Sequence, residues 1–261
     1  MTIKLYQVDA FTDKVFHGNP AAVCPLDKWL PDDTLLKIAA ENNLSETAFV
    51  VKNYSIFEIR WFTPTIEVDL CGHATLAGAY VLFNFENYTG STIEFYSPRS
   101  GRLSVTKNED LLTLNFPADN FSEIELSALL RSATNKNALA AYKGKTDYML
   151  VFEDEDDILS MQPDFTAIAQ LPARGLIVTA KGNRFDFVSR FFAPASGINE
   201  DPVTGSAHTT LIPFWSEKLQ KKDLTASQLS ERSGILYCRM LSNRVEIAGN
   251  AVLYLKGEII L

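Results

Sequence analysis

The sequence predicts an α+β fold of two homologous halves, each mostly antiparallel β-sheet with one buried helix. Three observations predict it. First, the chain repeats itself: Arg60-Trp61-Phe62-Thr63-Pro64 is echoed by Arg190-Phe191-Phe192-Ala193-Pro194, about 130 residues later. Each copy continues into a Gly-X-Ala phase, Cys71-Gly72-His73-Ala74-Thr75 and, with three extra residues, Thr204-Gly205-Ser206-Ala207-His208. A repeat near half the chain length implies duplicated domains rather than a stack of short units. Second, each copy enters an apolar helical run, Leu76 to Phe83 and Leu211 to Trp215. Third, most other segments read as short strands, and 17 Phe with 9 Tyr favour β structure. If the halves pack about a pseudo-two-fold axis, the two helix N-termini face one cleft.

A chain of 261 residues accommodates two domains of common size. Its net charge of −8 argues against nonspecific nucleic-acid binding, which needs a basic surface. An anionic small substrate stays compatible, because helix dipoles act locally. The cysteines, Cys24, Cys71 and Cys238, are odd in number and lack a Cys-X-X-Cys pair. That argues against a disulfide framework and a structural zinc site, and fits a reducing compartment. Met1 to Asp9 lacks the apolar core of a signal peptide, and no run approaches the roughly 20 apolar residues of a membrane span. The expectation is a soluble cytoplasmic protein with neither nucleic-acid nor membrane partners.

Element by element, Ile3 to Ala10 alternates apolar and polar residues and predicts a strand. Phe16 to Ala22 predicts a turn, with turn chemistry in Gly18-Asn19-Pro20, and Val23 to Leu26 a resumed strand. Pro31-Asp32-Asp33 opens a short helix through Ala39, since proline and early acids suit a helix start, and Asn42-Asn43 ends it. Ser45-Glu46-Thr47 leads into a strand through Val51, followed by the strand Ile56 to Phe62 and a helix over 72–84. Ser91 to Tyr96, Arg102 to Thr106 and Leu111 to Asn115 predict a β-meander. Asn115 to Asp119 breaks the pattern, giving an N-terminal lobe of residues 1–116 and a C-terminal lobe of residues 117–255. In the second half, Phe121 to Arg131 predicts an amphipathic helix and Tyr148 to Phe152 a strand. Glu153 to Asp157 predicts a solvated turn and helix start, because the spacing of a calcium loop is missing. Phe165 to Gln170 predicts a short helix, Gly175 to Thr179 and Arg184 to Phe192 strands, and Val203 to Leu219 the second central helix. Leu236 to Met240, Arg244 to Ile247 and Ala251 to Leu255 close the chain as strands.

The candidate chemistry centres on Asp69 to Gly78, read as strand, turn and helix with Gly72 and His73 in the first helical turn. Free backbone N–H groups and the positive dipole end make that turn a site for an anion. Glu46, at a strand start, points into a cleft or is a solvated edge residue. His73 acts on a ligand or caps and packs its helix. Asp201, before Pro202, is a helix N-cap, a substrate contact or both. Ser206 is a contact or a small residue permitting close approach. Cys71 is a reactive thiol activated by the helix N-terminus, or a buried small residue. His17, His73 and His208 lack ligand spacing, which argues against a metal site.

Four motifs occur in order: Phe16-His17-Gly18-Asn19-Pro20-Ala21, Ser45-Glu46-Thr47-Ala48-Phe49, Cys71-Gly72-His73-Ala74-Thr75 and Glu200-Asp201-Pro202-Val203-Thr204-Gly205-Ser206-Ala207. Together they resemble the phenazine-biosynthesis PhzF-like family, whose fold is shared with diaminopimelate epimerase. The resemblance spans residues 3 to about 257, including the tail Arg244-Val245-Glu246-Ile247-Ala248-Gly249. It implies two pseudo-symmetric lobes, each a sheet or barrel wrapped around a central helix, with the active site in the cleft between them. It also implies that the last few residues rejoin the first lobe, and it is compatible with a homodimer. Members resemble cofactor-independent isomerases, and the founding activity moves a proton within a cyclic, carboxylated dihydro-hydroxyanthranilate. By this resemblance Glu46 is the acid/base, and His73 and Asp201 complete the catalytic set. Asn19, Gly72, Gly205 and Ser206 then bind a small carboxylate substrate.

The set is chemically coherent. A carbon acid needs a base in hydrogen-bond reach with a pKa raised toward the working pH, which desolvation in a closed cleft supplies. Helix N-terminal N–H groups near Gly72 and Gly205 can bind the carboxylate and developing enolate-like charge. Epimerase relatives use one cysteine from each half. Here Cys71 has Thr204 as its counterpart, and an alkyl hydroxyl is too weak an acid to replace a thiol, which argues against a two-thiol racemase. The alternative from another class is a catalytically silent ligand-binding or interaction protein of the same fold.

Overall fold

Strand β1 (Thr2–Ala10) pairs antiparallel with β2 (Asn19–Leu26) on one side and with the C-terminal strand Ala251–Ile260 on the other. The turn into β2 depends on Gly18. Its φ is +65°, and a Cβ there would meet the Ala10 carbonyl oxygen at 2.2 Å, so only glycine fits. Strand β2 begins at Asn19 rather than Val23, because Asn19 to Ala22 pair with Ala10 to Gln7. These residues belong to the computed structural model, which describes residues 1–261.

The chain divides into two units, Met1–Phe116 with Ala248–Leu261, and Pro117–Ile247. In the first, β1 and β2 are followed by α1 (Asp32–Asn42), β3 (Glu46–Asn53), β4 (Ile56–Phe62), β5 (Glu67–Val68), α2 (Gly72–Phe85), β6 (Thr92–Ser97), β7 (Gly101–Asn108) and β8 (Leu111–Pro117). Strands β2 and β3 pair parallel, β3 and β4 antiparallel, β4 and β6 parallel, and β6 and β7 antiparallel. Helix α2 is apolar on every side and buried from Gly72 to Ala79, with Val81 and Leu82 buried beyond, against β1, β2 and β3. Helix α1 instead buries only Leu35, Ile38 and Ala39, in a cluster with Ile3, Cys24, Phe49 and Phe62.

The second unit runs through β9 (Ser122–Ile124), α3 (Ala128–Ser132), β10 (Ala140–Lys143), β11 (Tyr148–Val151), α4 (Glu155–Leu159), α5 (Phe165–Ala169), β12 (Leu176–Lys181), β13 (Phe187–Phe192), α6 (His208–Leu219), β14 (Asp223–Gln228), β15 (Gly234–Met240) and β16 (Arg244–Gly249). Its pairings β11–β12, β12–β13, β13–β14 and β14–β15 again alternate parallel and antiparallel. Both units are mostly antiparallel, with parallel pairings at β2–β3 and β4–β6 in the first and at β11–β12 and β13–β14 in the second. The elements are those of an α+β fold.

Three expectations change. Phe121 to Arg131 is not one helix: Ser122 to Ile124 pair with Lys143 to Ala141, which holds that segment extended and leaves the short α3, capped by Ser127. The second central helix starts at His208 rather than Val203, preceded by tight bonds from His208 N to Gly205 O and from Thr209 N to Ser206 O. The return to the first unit begins at Ala248, before residue 255, because the final strand β17 (Ala251–Ile260) is the partner of β1 along its whole length.

Candidate active site

In the first unit, the start of α2 and the starts of β2 and β3 converge. Cys71 is extended (φ −139°, ψ 110°), and its carbonyl accepts the first helical bond from Thr75 N and a second from Thr75 Oγ1 at 2.6 Å. The segment before it is anchored by Arg60, whose Nε and Nη2 grip both oxygens of Glu67 at 2.7 and 2.8 Å while the guanidinium lies over Phe62. Parallel pairing of β2 with β3 sets Glu46 opposite Ala21, two residues from Asn19. Asn42 Nδ2 donates to Thr47 Oγ1, fixing the residue after Glu46.

His73 is the hub. Its Nε2 lies 3.3 Å from Glu46 Oε2, and its Nδ1 lies 3.2 Å from Asn19 Nδ2 and 3.4 Å from Cys71 Sγ. Burial pushes the imidazole down to about 3, so at neutral pH the ring is uncharged and its contact with Glu46 is a hydrogen bond rather than an ion pair. Asn19 is fully buried, Cys71 and His73 nearly so, and Glu46 retains 15 % side-chain exposure. Gly72 is buried in the first turn of α2. Of the three thiols, burial pushes Cys24 up to about 12 and raises Cys238 as well, so both are inert. Cys71 alone touches an imidazole. Glu46, Cys71 and His73 also place a carboxylate oxygen, a sulfur and a ring nitrogen within 4.8 Å of one another, donor types that could hold a soft divalent ion. Spacing along the chain could not reveal this group, because Glu46 comes from a separate strand.

In the second unit, Thr204 Oγ1 donates to Asp201 Oδ2 at 2.5 Å and accepts from Gln228 Nε2 at 3.1 Å. Gln228 also accepts from Thr204 N and donates to the Asp201 carbonyl, both at 2.8 Å. Asp201 is therefore not the N-cap of α6, which starts seven residues on. Ser206 Oγ accepts from Arg174 Nη1 at 2.8 Å, so it is more than a small spacer. Arg174 in turn grips both oxygens of buried Asp147 and lies over the Phe191 ring. Gly205 is buried in the turn ahead of α6. His208 donates from Nδ1 to Thr204 O at 2.8 Å, the bond that Thr75 makes to Cys71 O in the first unit. Arg190 grips Glu200 and lies over Phe192, as Arg60 grips Glu67 over Phe62. Arg174 and Gln228 were not signalled by the sequence: each is remote from the residues it holds and belongs to no local motif.

A family model described as phenazine biosynthesis-like protein matches residues 8–257. The chain belongs to this family. An uncharacterized isomerase of Pseudomonas aeruginosa is 52 % identical over 260 residues, covering 99 % of both chains. A human phenazine biosynthesis-like domain-containing protein is 39 % identical over 289 aligned positions, again covering 99 % of both. The crystal structure of a PhzF-family protein from Enterococcus faecalis matches over the full length of both chains, with a TM-score of 0.97 and 48 % identity.

Proposed function

We propose that this PhzF-family chain is a cofactor-independent isomerase that moves a proton at carbon in a small carboxylated metabolite, with Glu46 as the acid/base. Family membership and an isomerase relative support isomerase-type chemistry. The observation that carries the finer reading is the neutral His73 Nε2 at 3.3 Å from Glu46 Oε2. A carboxylate held by a neutral N–H can take up and release a proton without leaving a charged partner uncompensated. One gripped by an arginine, as Glu67 and Glu200 are, would lose its ion pair on protonation. Backbone N–H groups at the start of α2, around Gly72, are suited to the substrate carboxylate or to developing enolate-like charge. Asp201, Gly205 and Ser206 are assigned to substrate positioning by the resemblance, and the matching Arg–Glu grips and alternating pairings support reading the two units as pseudo-symmetric duplicates.

Glu46→Gln keeps the shape and removes the base. Turnover is expected to fall about 10²-fold or more while binding of a carboxylate ligand survives. The assay is proton NMR in D₂O across a panel of small cyclic and amino carboxylic acids, wild type beside variant. Loss of one C–H signal with wild type alone supports the reading, and equal exchange by both removes Glu46 from the chemistry.

A further inference from the structure

We infer that Asn19 is a positioning residue that fixes the His73 ring in its Nε2–H tautomer, so that the ring's one proton points at Glu46. Asn19 is fully buried, and its amide lies against the His73 ring. Its place is rigid: it follows Gly18 in the crowded left-handed turn and pairs with Ala10 at the head of β2.

The donor inventory decides the tautomer. An amide –NH₂ only donates, and Asn19 Nδ2 faces His73 Nδ1 at 3.2 Å. A neutral imidazole has one donor and one acceptor nitrogen. Nδ1 must therefore accept, and the ring proton sits on Nε2, facing Glu46 Oε2 at 3.3 Å. The Cys71 thiol, 3.4 Å from Nδ1, is compatible as a second, weaker donor to the same nitrogen. The opposite tautomer sets two N–H groups head to head at Nδ1 and a lone pair against the carboxylate at Nε2. The consequence for catalysis is orientation: the Nε2–H bond fixes the rotation of the Glu46 carboxylate. This consequence rests on the proposed role of Glu46, whereas the tautomer is read without substrate, so the two can fail separately.

The protein carries its own reference. His208 is also fully buried and neutral at pH 7, pushed down to about 4 by burial, but its Nδ1 faces a carbonyl oxygen and must donate. The two buried histidines are therefore of opposite tautomer. Long-range ¹H–¹⁵N spectra of ¹⁵N-histidine-labelled protein at pH 7 distinguish protonated from unprotonated ring nitrogens, and the chain has only three histidines to assign. The expected result is a protonated Nε2 in His73 and a protonated Nδ1 in His208. Asn19→Asp places an acceptor at Nδ1 and should invert the His73 tautomer. Asn19→Ala should give a mixture, and Cys71→Ala should leave the wild-type pattern. A protonated Nδ1 on His73 in the wild type overturns the inference. So does an unchanged pattern in both Asn19 variants, or a tautomer lost in Cys71→Ala. If neither Asn19 variant folds, the wild-type and Cys71→Ala spectra still decide.

Discussion

His208 lies wholly inside the second unit, bonded to Thr204 O and tilted against Phe187, and its ring pKa is pushed down to about 4 against a free value of 6.5. His73 behaves alike, down to about 3. Between these values and about pH 6.5 the unfolded chain binds more protons than the folded one, so stability rises with pH. Their contribution is fully present above about pH 6.5 and is lost as pH falls toward about 4. At pH 5 each should remove roughly 2 kcal/mol relative to pH 7. Urea titrations at both pH values check this, and His208→Asn, which keeps a donor for Thr204 O, should shrink the loss. An unchanged loss would show that His208 is charged inside the fold. At this scale the sequence was most informative. Glu46, His73, Cys71 and Asn19 were picked out by motif, and the fold brings them together. Of the readings open for Asp201, the helix cap does not hold, because the Gly205–Ser206 turn lies between it and α6, which begins at His208. Arg174 and Gln228 were invisible because their partners are tens of residues away.

Two arginine grips set where the central helices begin. Arg60 and Glu67 are 14 % and 12 % exposed, and their bidentate pair ties β4 to the segment leading to Cys71. Arg190 and Glu200 do the same ahead of Thr204. Removing Arg60 leaves the nearly buried Glu67 with only the more exposed Arg99, at 3.0 Å, as its cationic partner. Arg60→Leu is expected to destabilise the fold by about 3–5 kcal/mol, and adding Glu67→Leu should recover part of that loss. Equal, additive losses would mean the pair is not coupled. The sequence located most strands and both central helices, since turn residues and apolar periodicity are local signals. It failed where a distant partner decides: Ser122 to Ile124 are extended only because β10 offers an edge. Strands β10 and β14 were missed for the same reason, being short and flanked by polar residues.

At the scale of the molecule, the chain closes its first unit with its last strand, as β17 pairs with β1 from Ala10 to Thr2. Removing residues 251–261 strips β1 of that partner, so the truncated chain is expected to lose cooperative folding. A truncated protein melting within a few degrees of the full chain would contradict this. The paired motifs were legible because each is a local run of sequence, and the point of return was not, because no local pattern says which strand β17 joins. The central claim is that Glu46 moves a proton at carbon. It is tested most directly by the rate of deuterium uptake into a responsive carboxylic acid by wild type, Glu46→Gln and Cys71→Ala, measured side by side. The expected result is exchange in wild type, nearly unchanged exchange in Cys71→Ala, and a fall of about 10²-fold or more in Glu46→Gln. Collapse in folded Cys71→Ala with Glu46→Gln still active would contradict the claim and move the chemistry to the thiol.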